Sequence, residues 1–179
     1  QFGPEDWTLY KGKHLLSFVD NHDVTRVASI LNNEKHLPLI YALMFCMPGI
    51  PCVYYGSEWG AKARKEDGDP ALRACFDAPV ENELTTYISR LAAIKKASDA
   101  LNYGNFRSVL LTNKQCIFER KTGSERVLLA LNADEAPFDA HFDAGCGRAE
   151  ELISQTTHDF GGGTTLAPYT AYIWKMETV

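Results

Sequence analysis

Along the first hundred residues, hydrophobic positions alternate between short unbroken runs and runs spaced three or four apart. Leu15-Leu16-Ser17-Phe18-Val19 is of the first kind, the pattern of a parallel strand buried on both faces. It stops abruptly at Asp20-Asn21-His22-Asp23. Over residues 36–47 the spacing predicts a helix, with Leu37, Ile40, Leu43, Met44 and Met47 on one face and few polar residues on the other. Pro38 falls in its first turn, where a missing N–H does no harm, and Pro48-Gly49 ends it. A second strand is predicted over residues 50–55, with Pro51 near its start and Gly56 at its end. Residues 61–79 are polar and contain Gly68, Pro70 and Pro79, which reads as a long loop. A further helix is predicted over residues 83–96. Leu84, Tyr87, Ile88, Leu91 and Ile94 share a face, Asn82 is placed to cap the start, and Lys95-Lys96 sits at the negative end of the dipole. Two strand-then-helix units in tandem are the material of a parallel α/β sheet or barrel.

The pattern changes near Asn102-Tyr103-Gly104. Beyond it stand only short strand candidates, over residues 108–112, 116–120, 126–131, 138–142, 151–154 and 169–176. Turn signals such as Thr122-Gly123-Ser124 and Gly161-Gly162-Gly163 separate them. That spacing suits a small antiparallel β-sandwich. The expected fold is α/β followed by all-β, divided into residues 1–102 and 103–179. With no repeat and no low-complexity linker between them, the two parts should pack directly on one another.

Composition narrows the function classes. Among 179 residues, 18 basic and 23 acidic side chains give a net charge of 18 − 23 = −5, and no long basic stripe is present, so nucleic acid is not the expected partner. The longest apolar run, residues 39–47, is about half of a bilayer span, so no membrane segment is expected. The chain opens Gln1-Phe2-Gly3 without a basic-then-apolar leader, as a mature protein or an excised piece would. Cys46, Cys52, Cys75, Cys116 and Cys146 are odd in number and form no C-x-x-C pair. They read as small buried apolar side chains, which favours a reducing, cytoplasmic setting.

The chemistry-bearing candidate is Asp20-Asn21-His22-Asp23. Two carboxylates and an imidazole crowd the carboxyl end of a buried strand, where parallel α/β folds bind ligands. Burying such groups is costly unless something pairs with them. A helix cap with an internal hydrogen-bond network would satisfy them equally well. A metal site through Asp20, His22 and Asp23 is a weaker reading, since no further ligand stands at suitable spacing.

Three segments carry a resemblance to a known family. Phe18-Val19-Asp20-Asn21-His22-Asp23 resembles the fourth conserved region of the α-amylase superfamily (glycoside hydrolase family 13), found at the end of barrel strand seven. Gly49-Ile50-Pro51-Cys52-Val53-Tyr54-Tyr55-Gly56-Ser57-Glu58 is similar to its strand-eight motif, G-x-P-x-x-Y-Y-G-x-E. Asp69-Pro70-Ala71-Leu72-Arg73 resembles the D-P-x-x-R loop of neopullulanase and cyclomaltodextrinase-like members. The resemblance implies that residues 1–102 are the last two βα units of a (β/α)8 TIM barrel, incomplete here, and that residues 103–179 are its β-sandwich domain C.

The same resemblance assigns roles. Asp23 matches the third catalytic carboxylate, which stabilises the transition state, and His22 the imidazole that hydrogen-bonds sugar hydroxyls. Asp69 and Arg73 match a pair contacting the next glucose. For Arg73 an ordinary salt bridge to Asp69 or Asp67 competes with that role. Asn21 is carried along as substrate-binding. Tyr55 and Glu58 belong to the strand-eight motif, with packing an equal reading for Tyr54 and Tyr55. The implied substrate is an α-1,4-linked glucan or maltooligosaccharide, cleaved with retention through an oxocarbenium-like state between a carboxylate nucleophile and a carboxylic acid. The nucleophile and acid/base motifs of the family do not occur here, so the chain is expected to be inactive alone and to self-associate. No cofactor or metal is implied within this segment; calcium, common in the family, takes its ligands from upstream regions. Two rival readings remain: a carbohydrate-binding module using Tyr169, Tyr172 and Trp174 as a platform, and a noncatalytic superfamily member.

Overall fold

The computed structural model describes residues 8–176; the opening Gln1-Phe2-Gly3 lies outside them. Strands β1 (Leu16–Ser17) and β2 (Ile50–Pro51) pair in parallel, Leu16 opposite Ile50 and Ser17 opposite Pro51. Gly49, at φ 124°, permits this approach: a Cβ there would stand 2.7 Å from the Leu15 carbonyl. The crossover holds α1 (Val27–Ile30) and α2 (His36–Cys46). After β2 come α3 (Asp69–Leu72), α4 (Glu83–Ala97) and α5 (Asp99–Tyr103). Asn82 caps α4 as expected, its side chain accepting from Thr85 N at 3.0 Å.

The remainder is antiparallel. β3 (Asn105–Leu111), β4 (Gln115–Lys121), β5 (Arg126–Asn132), β7 (Arg148–Glu151), β8 (Thr156–Asp159) and β10 (Thr170–Met176) form one sheet, in the order β3-β4-β5-β10-β7-β8. β6 (Phe138–Asp139) and β9 (Thr165–Leu166) form a separate pair. Both faces of the large sheet are covered. Val127, Leu129, Leu131 and Ile173 pack with Tyr41, Phe45, Ile88 and Leu91 of the helices. Leu128, Ala130 and Trp174 face the other way, against Ala140, Ala144 and Leu166. Double burial explains why β5 reads as an unbroken apolar run rather than an alternating one. Helix α2, apolar nearly all round, is wedged between α4 and the sheet, with seven of its eleven residues buried.

Two buried cations fasten this joint. Arg120 of β4 donates to Cys46 O at the end of α2 (2.9 Å) and to Gly104 O (2.9 Å). Lys95 of α4 donates to Leu101 O (2.7 Å) and Met47 O (3.4 Å). Carbonyls at helix ends carry partial negative charge, which suits cations there. Burial and the nearby Arg120 charge push the Lys95 ammonium down to about 8. Burial likewise raises the Cys46 thiol to about 12.

Several expectations are corrected. β1 is not buried on both faces: Leu16 is 61% and Ile50 52% exposed, because among the described residues each of the two strands has only the other as neighbour. The second strand shrinks to Ile50–Pro51, since Tyr54 and Tyr55 leave the strand line to pack around Arg26. The polar stretch 61–79 is not all loop; it holds a 3-10 turn at Lys65–Asp67 and α3, each too short to show periodicity. α1 and α5 escaped the sequence pattern for the same reason. The strand expected over 151–154 lies at Arg148–Glu151, and β8 and β9, short and threonine-rich, were not expected. Of the cysteines, Cys46 and Cys116 are buried, but Cys52 and Cys75 are exposed, so burial does not account for the set. Among the described residues no helix is long and apolar enough to cross a membrane.

Lys95 generates a pH test. The unfolded side chain holds its proton to about pH 10.5, the folded one only to about 8, so between these values unfolding takes up a proton and stability at this position rises with pH. Relative to Lys95→Met, the wild-type chain should gain on the order of 2 kcal/mol between pH 7.5 and 10.5. Urea unfolding at both pH values measures this, and a flat difference would contradict it.

Candidate functional site

At the end of β1 the chain sorts its two carboxylates into different environments. Asp20, 1% exposed, turns inward; its carboxylate accepts from Val27 N (2.8 Å), the first residue of α1, and from Ser57 Oγ (2.9 Å). Asn21 then accepts the Asp23 N–H at 2.8 Å, an Asx turn that reverses the backbone. His22 and Asp23 consequently face solvent, with side chains 51% and 62% exposed and His22 Nε2 3.2 Å from Asp23 Oδ2.

A second segment, about fifty residues on, meets them. Pro70 opens the single turn of α3, and Arg73 follows its end. Arg73 Nη1 donates to His22 O at 3.0 Å, while Nη2 lies 3.4 Å from Asp23 Oδ1. Asp69 is 3.8 Å from Arg73 on the other side. Of the five residues assigned to the sugar, Asp23, His22, Asp69 and Arg73 therefore form one cluster, and Asn21 holds the turn beneath it. The salt bridge to Asp69 that competed with a binding role for Arg73 is present, accompanied by a closer one to Asp23. Tyr54 flanks the group, its ring 6.3 Å from that of His22 and its hydroxyl donating to Leu72 O (3.3 Å). Burial, and then the neighbouring Tyr55 hydroxyl, hold the Tyr54 phenol above its ordinary range. Tyr55 packs against Phe76 and donates to Ala74 O at 3.0 Å, a packing role at the edge of the cluster. Glu58 stands apart from these contacts: Thr85 bonds its backbone carbonyl, and its buried Oε2 has no hydrogen-bond partner among the described residues.

Sequence reasoning missed Arg26, a lone basic residue in a polar loop. It is 1% exposed and donates to Tyr55 O (2.8 Å), Ser57 Oγ (3.0 Å) and Leu72 O (3.1 Å), with its guanidinium carbon 4.6 Å from the centre of the Tyr54 ring. Gly56 makes room for it: at φ 87°, an added Cβ would sit 2.7 Å from the Phe76 ring and 3.2 Å from Arg26 Nη1. Its one legible signal was position, three residues after Asp23.

Other candidates are decided by burial. Trp174 is 1% exposed and stacked against His158 and Tyr172, so it is core and not a carbohydrate platform. Among the described residues no group of three or more His, Cys, Asp or Glu side chains that could hold a metal ion is present, the Asp20–His22–Asp23 set included. A groove of about 670 Å³ between α2 and α4, lined by Leu37, Trp59, Leu84 and Tyr87, shares no residue with the cluster.

Residues 6–108 match the family described as alpha amylase, catalytic domain. Among curated proteins the chain is 32% identical over 125 residues to an alpha-amylase of Niallia circulans, covering 69% of this chain and 23% of that one. It is 33% identical over 122 residues to a cyclomaltodextrin glucanotransferase of Thermoanaerobacterium thermosulfurigenes, covering 66% and 16%. Among solved structures, the alpha-amylase of Geobacillus thermoleovorans, complexed with acarbose, superposes with a TM-score of 0.81 at 21% identity, covering 92% of this chain and 39% of that one. The chain thus spans less than a quarter of the length of these curated relatives.

The two carboxylates should separate on substitution. Asp20→Ala strands Ser57 Oγ and Val27 N without their acceptor and the buried Arg26 without a nearby counter-charge, and should cost about 3 kcal/mol, whereas Asp23→Ala, exposed, should stay within about 0.5 kcal/mol. Chemical denaturation of the two variants checks this; equal losses would show that Asp23 too is structural.

Proposed function

The chain belongs to the α-amylase family, and from that premise we propose that it is part of a retaining α-glucan hydrolase or transferase of the neopullulanase or cyclomaltodextrinase-like kind, supplying the transition-state-stabilising carboxylate and part of the sugar site. The observation that carries this reading is the convergence of Asp23, His22, Asp69 and Arg73 from two distant segments onto one open face. In that role Asp23 presents a carboxylate anion to the ring hydroxyls of a sugar whose anomeric carbon turns cationic. Hydrogen bonds to the 2-OH that strengthen in the transition state lower the barrier by several kcal/mol. His22 Nε2, already beside Asp23, donates to a neighbouring hydroxyl. Arg73 and Asp69 hold the adjoining glucose, their mutual contact yielding to sugar hydroxyls. Asn21 shapes the turn that aims the pair.

The nucleophile and the proton-donating acid lie elsewhere in this reading, with β1 and β2 as barrel strands seven and eight and residues 103–179 as domain C. The 179-residue chain by itself then carries one of three catalytic carboxylates and does not hydrolyse glucan. The exposed Leu16, Phe18 and Ile50 are the barrel-facing side chains left uncovered, and an uncovered apolar face drives self-association.

Titrating the isotopically labelled chain with maltotriose should move the amide signals of residues 21–23 and 69–73, and Asp23→Ala with Arg73→Ala should abolish the response. Shifts confined to the β-rich part would overturn the site. No reducing sugar should be released from maltooligosaccharides; release that Asp23→Ala eliminates would show a complete active site in this chain. In sedimentation, the wild-type chain should be a concentration-dependent oligomer and Leu16→Glu/Phe18→Lys a monomer. A wild-type chain that stays monomeric at high concentration contradicts the open-face argument.

A further inference from the structure

Arg26 is the most heavily bonded side chain near the site, yet it touches none of the groups placed on the sugar. Its three hydrogen bonds go to Tyr55 O, Ser57 Oγ and Leu72 O, in the two segments that flank the exposed cluster. We infer that Arg26 is a positioning residue for the Asp23–His22 pair, acting through Arg73 and Tyr54; this rests on reading that pair as part of a sugar site.

Two routes carry the effect. Along the first, Leu72 O is pinned by two donors, Arg26 Nη2 (3.1 Å) and the Tyr54 hydroxyl (3.3 Å). Arg73, the next residue, reaches His22 O and Asp23 from that fixed point. An ion pair as exposed as Arg73–Asp23 contributes little by itself and cannot hold its own geometry. The backbone on both sides must do so: the Asx turn at Asn21 on one side, the clamped Leu72 carbonyl on the other. Along the second route the Tyr54 ring lies over the guanidinium at 4.6 Å and faces the His22 ring at 6.3 Å. A planar guanidinium serves three acceptors and an aromatic face at once; a lysine ammonium keeps the charge but not the fork.

The test is a double-mutant cycle with two readouts. In the sugar-free protein, Arg26→Lys should move the Arg73 Nε–H resonance towards that of a solvent-exposed arginine, as Asp23→Asn does. In maltotriose titrations, Arg26→Lys should weaken binding roughly tenfold, and Arg26→Lys/Arg73→Lys should bind no more weakly than Arg73→Lys alone. A merely structural Arg26 would lower the urea midpoint while leaving the Arg73 signal in place and the two binding losses additive; either result overturns the inference. A wild-type chain that binds no maltotriose sinks the sugar reading instead, and the Arg73 resonance still decides the positioning role. If Arg26→Lys does not fold, Ser57→Ala removes one acceptor and should move the same resonance less far in the same direction; an unmoved signal there counts against the inference.

Discussion

A charge taken out of water must be repaid by hydrogen bonds, and in this protein that demand is concentrated on one buried assembly: Asp20, Ser57 and Arg26. The Ser57 hydroxyl accepts from Arg26 and donates to Asp20, so a carboxylate and a guanidinium neutralise one another through a single oxygen. Breaking such a set leaves an uncompensated buried charge, which costs several kcal/mol. The elements around it are too short to hold themselves. β1 and β2 share a register of only two residues, and α1 and α3 are single turns that could not persist alone. Asp20 starts α1, Arg26 ties the end of α3 to the segment after β2, and Gly56 keeps the space in which they meet.

That arrangement explains how one tetrapeptide can be both buried scaffold and open polar surface. Asp20 and Asp23 are three residues apart and chemically alike, but one is committed to the interior and the other is left in water. The ion pairs at the surface, Arg73 to Asp23 and to Asp69, are longer than optimal and exposed, so they add little to stability. They can therefore be broken at small cost, whereas the buried set cannot. Rigidity is placed beneath the site, and replaceable contacts on top of it.

Legibility in the sequence followed the length over which a signal repeats. α2 and α4 persist for three turns or more, and their bounds follow from periodicity and from the Asn82 cap. β4, β5 and β10 announce themselves by composition and by the turns between them. One-turn helices carry no period, β8 carries no apolar residue and two-residue β9 is too short to show alternation, so both kinds were lost. Burial was misjudged where it depends on a neighbour rather than on the residue: Leu16 and Ile50 look like core, and are open. At the site, Asp20 to Asp23 were legible as polar residues just beyond a strand, and Asp69 and Arg73 only through the resemblance of Asp69-Pro70-Ala71-Leu72-Arg73 to the D-P-x-x-R loop. Arg26 was not, because a buried arginine is defined by acceptors up to 46 positions away that no local pattern displays.

The change of pattern near residue 102 marks a change of secondary structure, not an edge of the core. Leu129 and Ile173 belong to the same apolar cluster as Tyr41 and Phe45, and Arg120 reaches from the sheet to the last carbonyl of α2. Helix α2 illustrates the consequence. Apolar on nearly every side, it cannot exist with one face against α4 and the other in water, so the sheet supplies a wall that the helix requires. The same helix is the crossover between β1 and β2, and hence fixes where the Asp20 end of β1 stands relative to Ser57. Tyr41, fully buried in α2, makes the link directly by donating to Ser57 O at 3.0 Å. The β-rich part thus bears on the acid–imidazole surface without contributing a side chain to it, through one helix and the hydroxyl-bearing turn that helix supports.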